Sequence, residues 1–367
     1  MLNPPSTQLP DPCFQQLLDV SADIVNYVQI QANFCITHPH YPPLELAAEV
    51  IARLQQLPMT LQQKYLNLQL RNFLYDIYFT SEQRMNTATA ADSPLDCPLE
   101  NNRTRGLDLE FYQRLHNSNS GKGFFDSGWF VLTEERDRTL AVKKQGLTLH
   151  IDRDRHLHLA QQSASMGDWV AIRMPSNRVE AGFYVAVGNA GFIDDCDQND
   201  RSERVEIFFN LSPEGAIALM QAITQQLNNI DIPFTFRALS DPANYGRSDA
   251  GVLCFDQNNY EVVRQVLQTV YPENQLHFQP STPLFTKLLA PGLGLAESPT
   301  DELMTPTSFG MNRCQIVANG LLAAWQTGNS PADRMNAIRQ QFSQLGLDWY
   351  RPYLNPDAQD IYTPLDL

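Results

Sequence analysis

The chain has 367 residues and a hydrophobic fraction of 43%, which is enough for a sizeable folded core and excludes wholesale disorder. Its formal net charge of −15 argues against a general nucleic-acid-binding protein, because such proteins present a basic face. No apolar stretch approaches the roughly 20 residues that a membrane-spanning helix needs, and the N-terminal residues do not have the pattern of a secretory signal. We therefore predict a cytoplasmic protein that binds neither nucleic acid nor membranes.

The first part of the chain has the apolar spacing of helices. Between residues 12 and 79, apolar side chains recur at three- and four-residue steps. The Pro42–Pro43 pair is predicted to open a second helix, and Thr60 is predicted to cap a third. Residues 81–102 are polar and rich in Ala, Thr and Asp, which predicts an exposed linker.

After Gly106 the spacing changes from helical to alternating. Short runs separated by Gly, Pro, Asp or Asn predict strands at 129–133, 140–144, 147–151, 169–174, 183–188, 205–210, 233–239 and 252–255. Helices are predicted after Ser212, which is a good N-cap before Pro213, and at 260–271, 308–325 and 332–345.

These elements predict an α+β fold. It consists of a helical N-terminal layer, a mostly antiparallel twisted sheet with packed helices, and a helical C-terminal closure. We place a helical region at 1–105 and an α+β core domain at 106–367.

The cysteines and histidines do not predict a metal site. The six cysteines are far apart, and none has the two-residue spacing of a zinc or redox motif. Scattered thiols of this kind are typical of reduced core residues. His156 and His158 are predicted to share one face of a strand edge, and His38 and His40 flank a proline in a loop, but two histidines alone are a weak metal pattern.

Four polar or glycine-rich segments contain candidate functional residues. The loop around His116, Asn119 and Lys122 contains glycines that can expose backbone N–H groups to an anion, although ordinary tight turns use the same residues. Arg237, Arg247 and Asp249 flank a proline-containing turn, where paired arginines suit phosphate and surface ion pairs are equally common.

The other two segments lie nearer the C-terminus. Lys287 is a lone lysine in a nearly apolar run from Phe285 to Ala296. Burial disfavours the charged form of such a lysine and can make it a base, while a lysine with its tip in water is the more frequent case. Arg313 follows Ser308, a predicted helix cap, and can face either solvent or a site.

The same segments resemble the HopA-type effector-like family. The resemblance is carried by residues 115–129, 182–184, 247–249, 289–292 and 308–314. It covers about residues 106–325, and the N-terminal helices are similar to those of cyanobacterial members. The family includes a plant-pathogen type III effector and many other bacterial proteins.

The resemblance implies a lyase. Some family members act in class V lanthipeptide biosynthesis beside an aminoglycoside-kinase-like partner protein. The implied activity is that of a phosphoserine or phosphothreonine lyase, which eliminates phosphate from a phosphorylated peptide substrate to leave a dehydroamino acid. This chemistry requires no metal or organic cofactor.

Elimination needs a base for the Cα proton, donors for the developing oxyanion and cations for the phosphate. We assign Lys287 or Lys122 as the base and His116 as the acid. Phosphate and substrate binding are assigned to Arg237, Arg247, Arg313, Asn119 and Asp249. Position 237 is Arg where we expect a lysine in related sequences, so this chain would rely on Lys287 or Lys122 if that lysine is the base elsewhere.

Two other functions are compatible with the sequence. A non-catalytic module that holds a peptide or a partner protein suits the strand-rich middle and the acidic character, and it needs no lysine base. An effector-like protein whose only role is interaction with a host protein is the third possibility. The lyase requires the lysine and the arginines to line one cleft, whereas a binding module does not.

Overall fold

A computed structural model describes residues 12–81, 103–104, 107–135, 139–192, 203–299 and 308–367. Apart from Ser81, the predicted linker at 81–102 lies outside the described residues. The helices are α1 (Pro12–Tyr27), α2 (Ala48–Gln55), α3 (Met59–Leu74), α4 (Leu109–Ser118), α5 (Arg153–His156), α6 (Pro213–Asn229), α7 (Tyr260–Asn274), α8 (Phe309–Thr327) and α9 (Pro331–Gln344). A π-helical turn, Tyr75–Phe79, continues α3.

The strands of the described residues form four sheets. They are β1 (Gln29–Ile30), β2 (Ile36–His38), β3 (Tyr41–Leu44), β4 (Arg103–Thr104), β5 (Leu107–Asp108), β6 (Phe124–Glu134), β7 (Thr139–Lys144), β8 (Leu147–Asp152), β9 (Trp169–Met174), β10 (Asn177–Glu180), β11 (Phe183–Val187), β12 (Arg204–Phe209), β13 (Phe234–Leu239), β14 (Gly251–Asp256), β15 (Lys287–Ala290) and β16 (Leu293–Glu297). The largest sheet has the order β10-β11-β13-β14-β12-β16-β15, and every described pair in it is antiparallel. The predicted α+β fold is confirmed.

Helices pack against both faces of the seven-stranded sheet. Strands alternate their side chains, so Phe208 and Phe209 point to opposite faces. Phe208 contacts Phe79 of the π-helical turn and Phe309 of α8. Phe209 contacts Phe236 on the other face, where α6 packs on β13 and also contacts α4 and α7. The sheet thus forms the middle layer of one large core.

The junction between β12 and α6 follows the local chemistry of the chain. The Ser212 side chain accepts a hydrogen bond from the backbone N–H of Gly215, which satisfies a donor that the first helical turn leaves free. Pro213 occupies the first helical position, where its fixed φ is favourable and its missing N–H costs nothing. The predicted cap at Ser212 is confirmed.

The N-terminal region differs from its sequence-based prediction at two points. Pro42 and Pro43 do not open a helix but lie in β3, an edge strand, where a missing N–H can face outward. Helix α3 begins at Met59 after Pro58, so Thr60 lies inside the helix and does not cap it. Leu17, Ile24 and Phe73 of this region belong to the same buried cluster as Leu253 of the seven-stranded sheet.

Strands β6 to β9 form a four-stranded antiparallel sheet with a core of its own. Its order is β8-β7-β6-β9, and its buried cluster includes Trp129, Leu140 and Val142. None of these residues belongs to the large core described above. The molecule therefore has two hydrophobic cores within its described residues.

Candidate functional site

The eight predicted site residues form three groups. Arg237 lies on β13 and Lys287 on β15, and three strands separate them in the sheet. At about 4.8 Å per strand step, their backbones are on the order of 19 Å apart. Lys287, a predicted base, and Arg237, a predicted phosphate-binding residue, therefore do not share one cleft.

The first group fastens the loop after α4 to the sheet. His116 Nδ1 lies 3.2 Å from the Tyr184 hydroxyl, and Asn119 Nδ2 donates to the same hydroxyl at 3.0 Å and to the Ser176 carbonyl at 2.9 Å. Burial raises the pKa of Tyr184 to about 12. Lys122 takes part through its backbone, which donates to Asn189 at 2.7 Å, while its side chain is exposed. These contacts account for His116 and Asn119 as loop-positioning residues.

The second group is centred on two arginines and one aspartate. Arg247 forms two hydrogen bonds with the Asp249 carboxylate, both 2.9 Å long. The Tyr75 hydroxyl donates to the same carboxylate at 3.1 Å. Tyr75 begins the π-helical turn, a distortion that is frequent at functional sites. Burial and the adjacent Asp249 raise the pKa of Tyr75, so the hydroxyl remains protonated.

Arg237 belongs to the second group but is less tightly held. Its guanidinium lies 3.8 Å from Glu180 and stacks 5.5 Å from the Phe183 ring centre. Burial alone would lower the pKa of Arg237, but the carboxylates of Glu206, Glu180 and Asp249 raise it. The arginine is charged throughout the physiological range.

The first two groups lie on opposite faces of the sheet. Tyr184 pairs with Ala238 across the β11–β13 ladder, and directly paired residues share a face. Arg237 precedes Ala238, so its side chain points to the other face. His116, which contacts Tyr184, therefore cannot protonate a group that is held by Arg237.

The third group lines a cleft. The cleft has a volume of about 450 Å³, and the predicted residue Lys287 is in its wall. Other polar lining residues are Gln16, Thr286, Arg351, Tyr353 and Asp360, with Phe14, Leu17, Pro283, Leu284, Phe285, Tyr350 and Pro352 among the rest. A concave, largely apolar cleft with a few convergent polar groups is the usual form of a ligand site.

Ion pairs hold the charged groups of this cleft. Lys287 Nζ donates to both oxygens of Asp360, at 2.8 and 2.7 Å, and the Tyr353 hydroxyl donates to Asp360 at 2.6 Å. Burial alone would raise the pKa of Asp360, but the hydrogen bonds from Lys287 and Tyr353 lower it. Arg351 is paired with Asp348 at 2.9 Å and remains 51% exposed. The cleft thus presents two cations, each with a carboxylate partner.

Arg313 stabilises the wall of the cleft from behind. Its side chain is fully buried and donates to the Pro352 carbonyl at 2.7 Å and to the Leu354 carbonyl at 3.0 Å. It therefore cannot contact a substrate phosphate directly in this conformation. Its contribution to the site is to position the segment that contains Arg351 and Tyr353.

Phe285, which lies two residues before Lys287 in the cleft wall, has an unusual backbone conformation. Phe285 is buried and has a φ of +73°, a region that bulky residues rarely adopt. Such strain persists where the surrounding structure overdetermines it, and it is concentrated at functional sites. Phe285 lies two residues before Lys287, the first residue of β15.

The sequence did not indicate Arg351, Tyr353 or Asp360. They lie after α9 in a segment without helices or strands, so no hydrophobic period distinguished them. Within the described part of the chain, no group of three or more His, Cys, Asp or Glu side chains is arranged to hold a metal ion. None of its helices is both long and apolar enough to cross a membrane.

The fold and the cleft define an α+β protein with a cation-bearing cleft at the edge of a seven-stranded antiparallel sheet. Residues 174–354 match the model of the HopA1 effector protein family. The matched residues include Lys287, Arg313, Arg351 and Tyr353. The predicted resemblance to the HopA-type effector-like family is confirmed.

Two solved structures are similar to the chain. The effector protein from Pseudomonas syringae pv. tomato strain DC3000 is 17% identical, with a TM-score of 0.41 over 81% of this chain and 97% of that one. The effector protein from Pseudomonas syringae pv. syringae strain 61 is 15% identical, with a TM-score of 0.42 over 85% of this chain and 100% of that one. No curated protein matches the chain significantly.

Proposed function

We propose that this HopA1-family protein is a phosphoserine or phosphothreonine lyase that acts on a peptide in lanthipeptide-type maturation. The observation that carries this proposal is the cleft in which Lys287, Arg351 and Tyr353 converge. A cytoplasmic location and an aminoglycoside-kinase-like partner, which would supply the phosphorylated peptide, belong to the same proposal.

The cleft residues have separate roles in the proposed elimination. Arg351 binds the phosphate group of the substrate, because an exposed guanidinium can exchange its partner Asp348 for a phosphate dianion. Lys287 in its neutral form takes the Cα proton, the electron pair of that C–H bond forms the Cα–Cβ double bond, and the Cβ–O bond breaks. Phosphate leaves with the electrons of the broken bond, and the proton remains on Lys287.

The ion pair with Asp360 sets a condition on this mechanism. Lys287 Nζ donates to both oxygens of Asp360, and a nitrogen held in this ion pair is not free to take a proton from a substrate. The pair must therefore open when substrate binds.

The decisive assay is mass spectrometry of phosphoserine- and phosphothreonine-containing peptides after incubation with the protein. Loss of phosphoric acid is expected for the wild type and should be abolished in Lys287→Ala and Lys287→Arg, because neither side chain is a base. Lys122→Ala is the matched control, since this exposed lysine lies in another group, and it should keep full activity. If Lys287→Ala keeps its activity, the elimination does not take place in this cleft.

A peptide-binding module is the second candidate, and the ion pair of Lys287 with Asp360 favours it, because binding needs no free base. In that case Lys287 and Arg351 bind an anionic peptide without reaction. Fluorescence anisotropy with the same phosphopeptides separates the two functions. Binding that is retained in Lys287→Arg, with no loss of phosphoric acid in any sample, would support the module and reject the lyase.

A further inference from the structure

Arg237 and Glu206 project from the same face of the seven-stranded sheet. Glu206 pairs with Cys254, and Cys254 pairs with Thr235, so these three side chains share a face. Arg237 lies two residues after Thr235 and therefore points the same way. Although two strand steps separate their backbones, Glu206 is the carboxylate that most strongly raises the pKa of Arg237.

Each of these two residues has a buried polar atom without a hydrogen-bond partner among the described residues. Arg237 Nε is an unpaired donor, and Glu206 Oε2 is an unpaired acceptor. The other oxygen of Glu206 accepts from the Ser298 hydroxyl at 3.0 Å. Buried polar atoms are normally satisfied, because leaving one unpaired is costly, and a molecule with one acceptor and one donor would satisfy both of these atoms.

The neighbouring side chains leave both atoms unpaired. Arg237 stacks on Phe183, and its side chain is 28% exposed although its Nε is buried. Asp249 is already occupied by Arg247 and Tyr75 and does not compete for Arg237 at short distance. Glu180 reaches Arg237 only at 3.8 Å, beyond a direct hydrogen bond.

The charges around Arg237 and Glu206 indicate which kind of ligand can bind between them. Three carboxylates, those of Glu180, Glu206 and Asp249, face the guanidinium groups of Arg237 and Arg247. A simple anion such as phosphate would bind Arg237 but would be repelled by Glu206 and Glu180. A simple cation would satisfy Glu206 and leave Arg237 Nε unpaired.

We propose that this face is a binding site for a free α-amino acid, whose carboxylate binds Arg237 and whose ammonium binds Glu206. This zwitterion supplies one acceptor and one donor a few bonds apart, which matches the two unpaired atoms. The site lies on a different strand from the Lys287 cleft and does not depend on the proposed lyase activity.

The test is isothermal titration calorimetry with each of the standard amino acids at millimolar concentration. At least one should bind the wild type, and both Arg237→Gln and Glu206→Gln should weaken it more than tenfold. The N-acetyl and methyl ester derivatives of the same amino acid should also lose more than tenfold, because each lacks one of the two charges. Lys287→Ala should bind like the wild type.

Thermal melting of each variant keeps the experiment interpretable. If Arg237→Gln or Glu206→Gln is unfolded, Arg237→Lys and Glu206→Asp replace them, and these should weaken binding while preserving the charges. Absence of binding by every amino acid would overturn the proposal. Equal binding of the N-acetyl derivative or of inorganic phosphate would also overturn it, since either result would show a plain anion site.

Discussion

His38 is a buried histidine whose protonation state is determined by its contacts. Its Nε2 faces Asp23 at 3.1 Å, and its Nδ1 accepts from the backbone N–H of His40 at 3.2 Å. These partners assign the neutral tautomer with the proton on Nε2. Burial lowers the pKa of His38 from its ordinary 6.5, and this effect exceeds the opposing influence of Asp23.

The stability of the protein should therefore depend on pH through His38. Because the folded-state pKa is lowered, the unfolded chain binds the proton more readily. The contribution of the neutral histidine is complete above about pH 6.5 and declines as the pH falls from there towards the folded-state pKa. Urea unfolding at about pH 7.5 and about pH 5.5 should show this decline, and His38→Gln should reduce it.

His150 provides the matched control for that measurement. It is exposed, so His150→Gln controls for the removal of a histidine as such without disturbing the core. A decline that is the same in His38→Gln as in the wild type would assign the pH dependence to other groups.

Arg313 should be among the most sensitive positions of the chain. Its guanidinium is buried and donates to two backbone carbonyls and to Asn312. We expect Arg313→Met to lower the free energy of unfolding by about 3 kcal/mol, because the buried acceptors lose a charged donor. Arg313→Lys should also destabilise, since an ammonium cannot span both carbonyls.

Urea unfolding measures this effect. Arg339→Met in α9 is the control, because Arg339 is exposed and does not line the cleft, and it should leave the free energy of unfolding almost unchanged. A loss below about 1 kcal/mol in Arg313→Met would mean that water replaces the guanidinium at the carbonyls. In that case Arg313 would not be needed to position Arg351 and Tyr353.

At the scale of elements, α8 depends on glycines for its close packing. A Cβ at Gly320 would lie 2.6 Å from the Cα of Ile338 in α9, and one at Gly310 would lie 2.5 Å from the ring of Phe79. Both distances are far below a normal contact. Helix α8 therefore approaches α9 and the π-helical turn more closely than any side chain at these positions would allow.

Gly320→Ala should destabilise the protein despite the higher helix propensity of alanine. Alanine gains about 1 kcal/mol over glycine inside a helix, but overpacking against a backbone that cannot move aside costs about 1 to 3 kcal/mol. We expect a net loss in thermal or urea unfolding. Ala323→Gly, at an exposed position of the same helix, measures propensity alone and should cost about 1 kcal/mol.

A Gly320→Ala variant that is more stable than the wild type would contradict the packing of α8 on α9. The two helices would then lie farther apart than in the structure.

At the scale of the whole molecule, the four-stranded sheet and the main body have separate cores. The family match begins at residue 174, at the end of β9, so the four-stranded sheet precedes the matched region. A separate core can open without disrupting its neighbour. The sheet of β6 to β9 is therefore expected to behave as an independent unit of stability.

Leu140→Ala should affect only this unit. The side chain is fully buried in the small core, and its truncation should cost about 3 kcal/mol locally. Hydrogen exchange measured by mass spectrometry should increase in β6 to β9 and remain unchanged in β11 to β14. Leu253→Ala in the large core is the reciprocal control, and increased exchange in both sheets for both variants would show a single cooperative unit.

Local patterns were sufficient for most elements after residue 106. The strands β11 and β12 and the capped helix α6 follow from alternation and from the Ser212–Pro213 pair, because these signals involve neighbours in the chain. The N-terminal prediction failed at Pro42 because a proline pair is compatible with either a helix start or an edge strand. Only the pairing of β3 with β2 distinguishes the two.

The composition of the candidate site could not be predicted from the sequence, because its residues contact partners that are distant in the chain. Residue type alone marked Lys287 and Arg313 as unusual, since a charged side chain in an apolar run needs a partner. Their partners Asp360 and Pro352 lie 73 and 39 residues away, in a segment without periodicity. The same limitation applies to Arg237, whose position relative to Glu206 follows from strand order rather than from spacing.

The sequence by itself determined the α+β class, the family resemblance and the residues whose charge was out of place in an apolar context. These properties are local, because propensity, alternation and capping act between neighbours. The tertiary structure decided which of the charged residues meet. It placed Lys287 in a cleft with Asp360 and Tyr353, left Arg237 on another part of the sheet, and turned His116 to the opposite face, because strand order and the alternation of side chains are set only when the sheet is assembled.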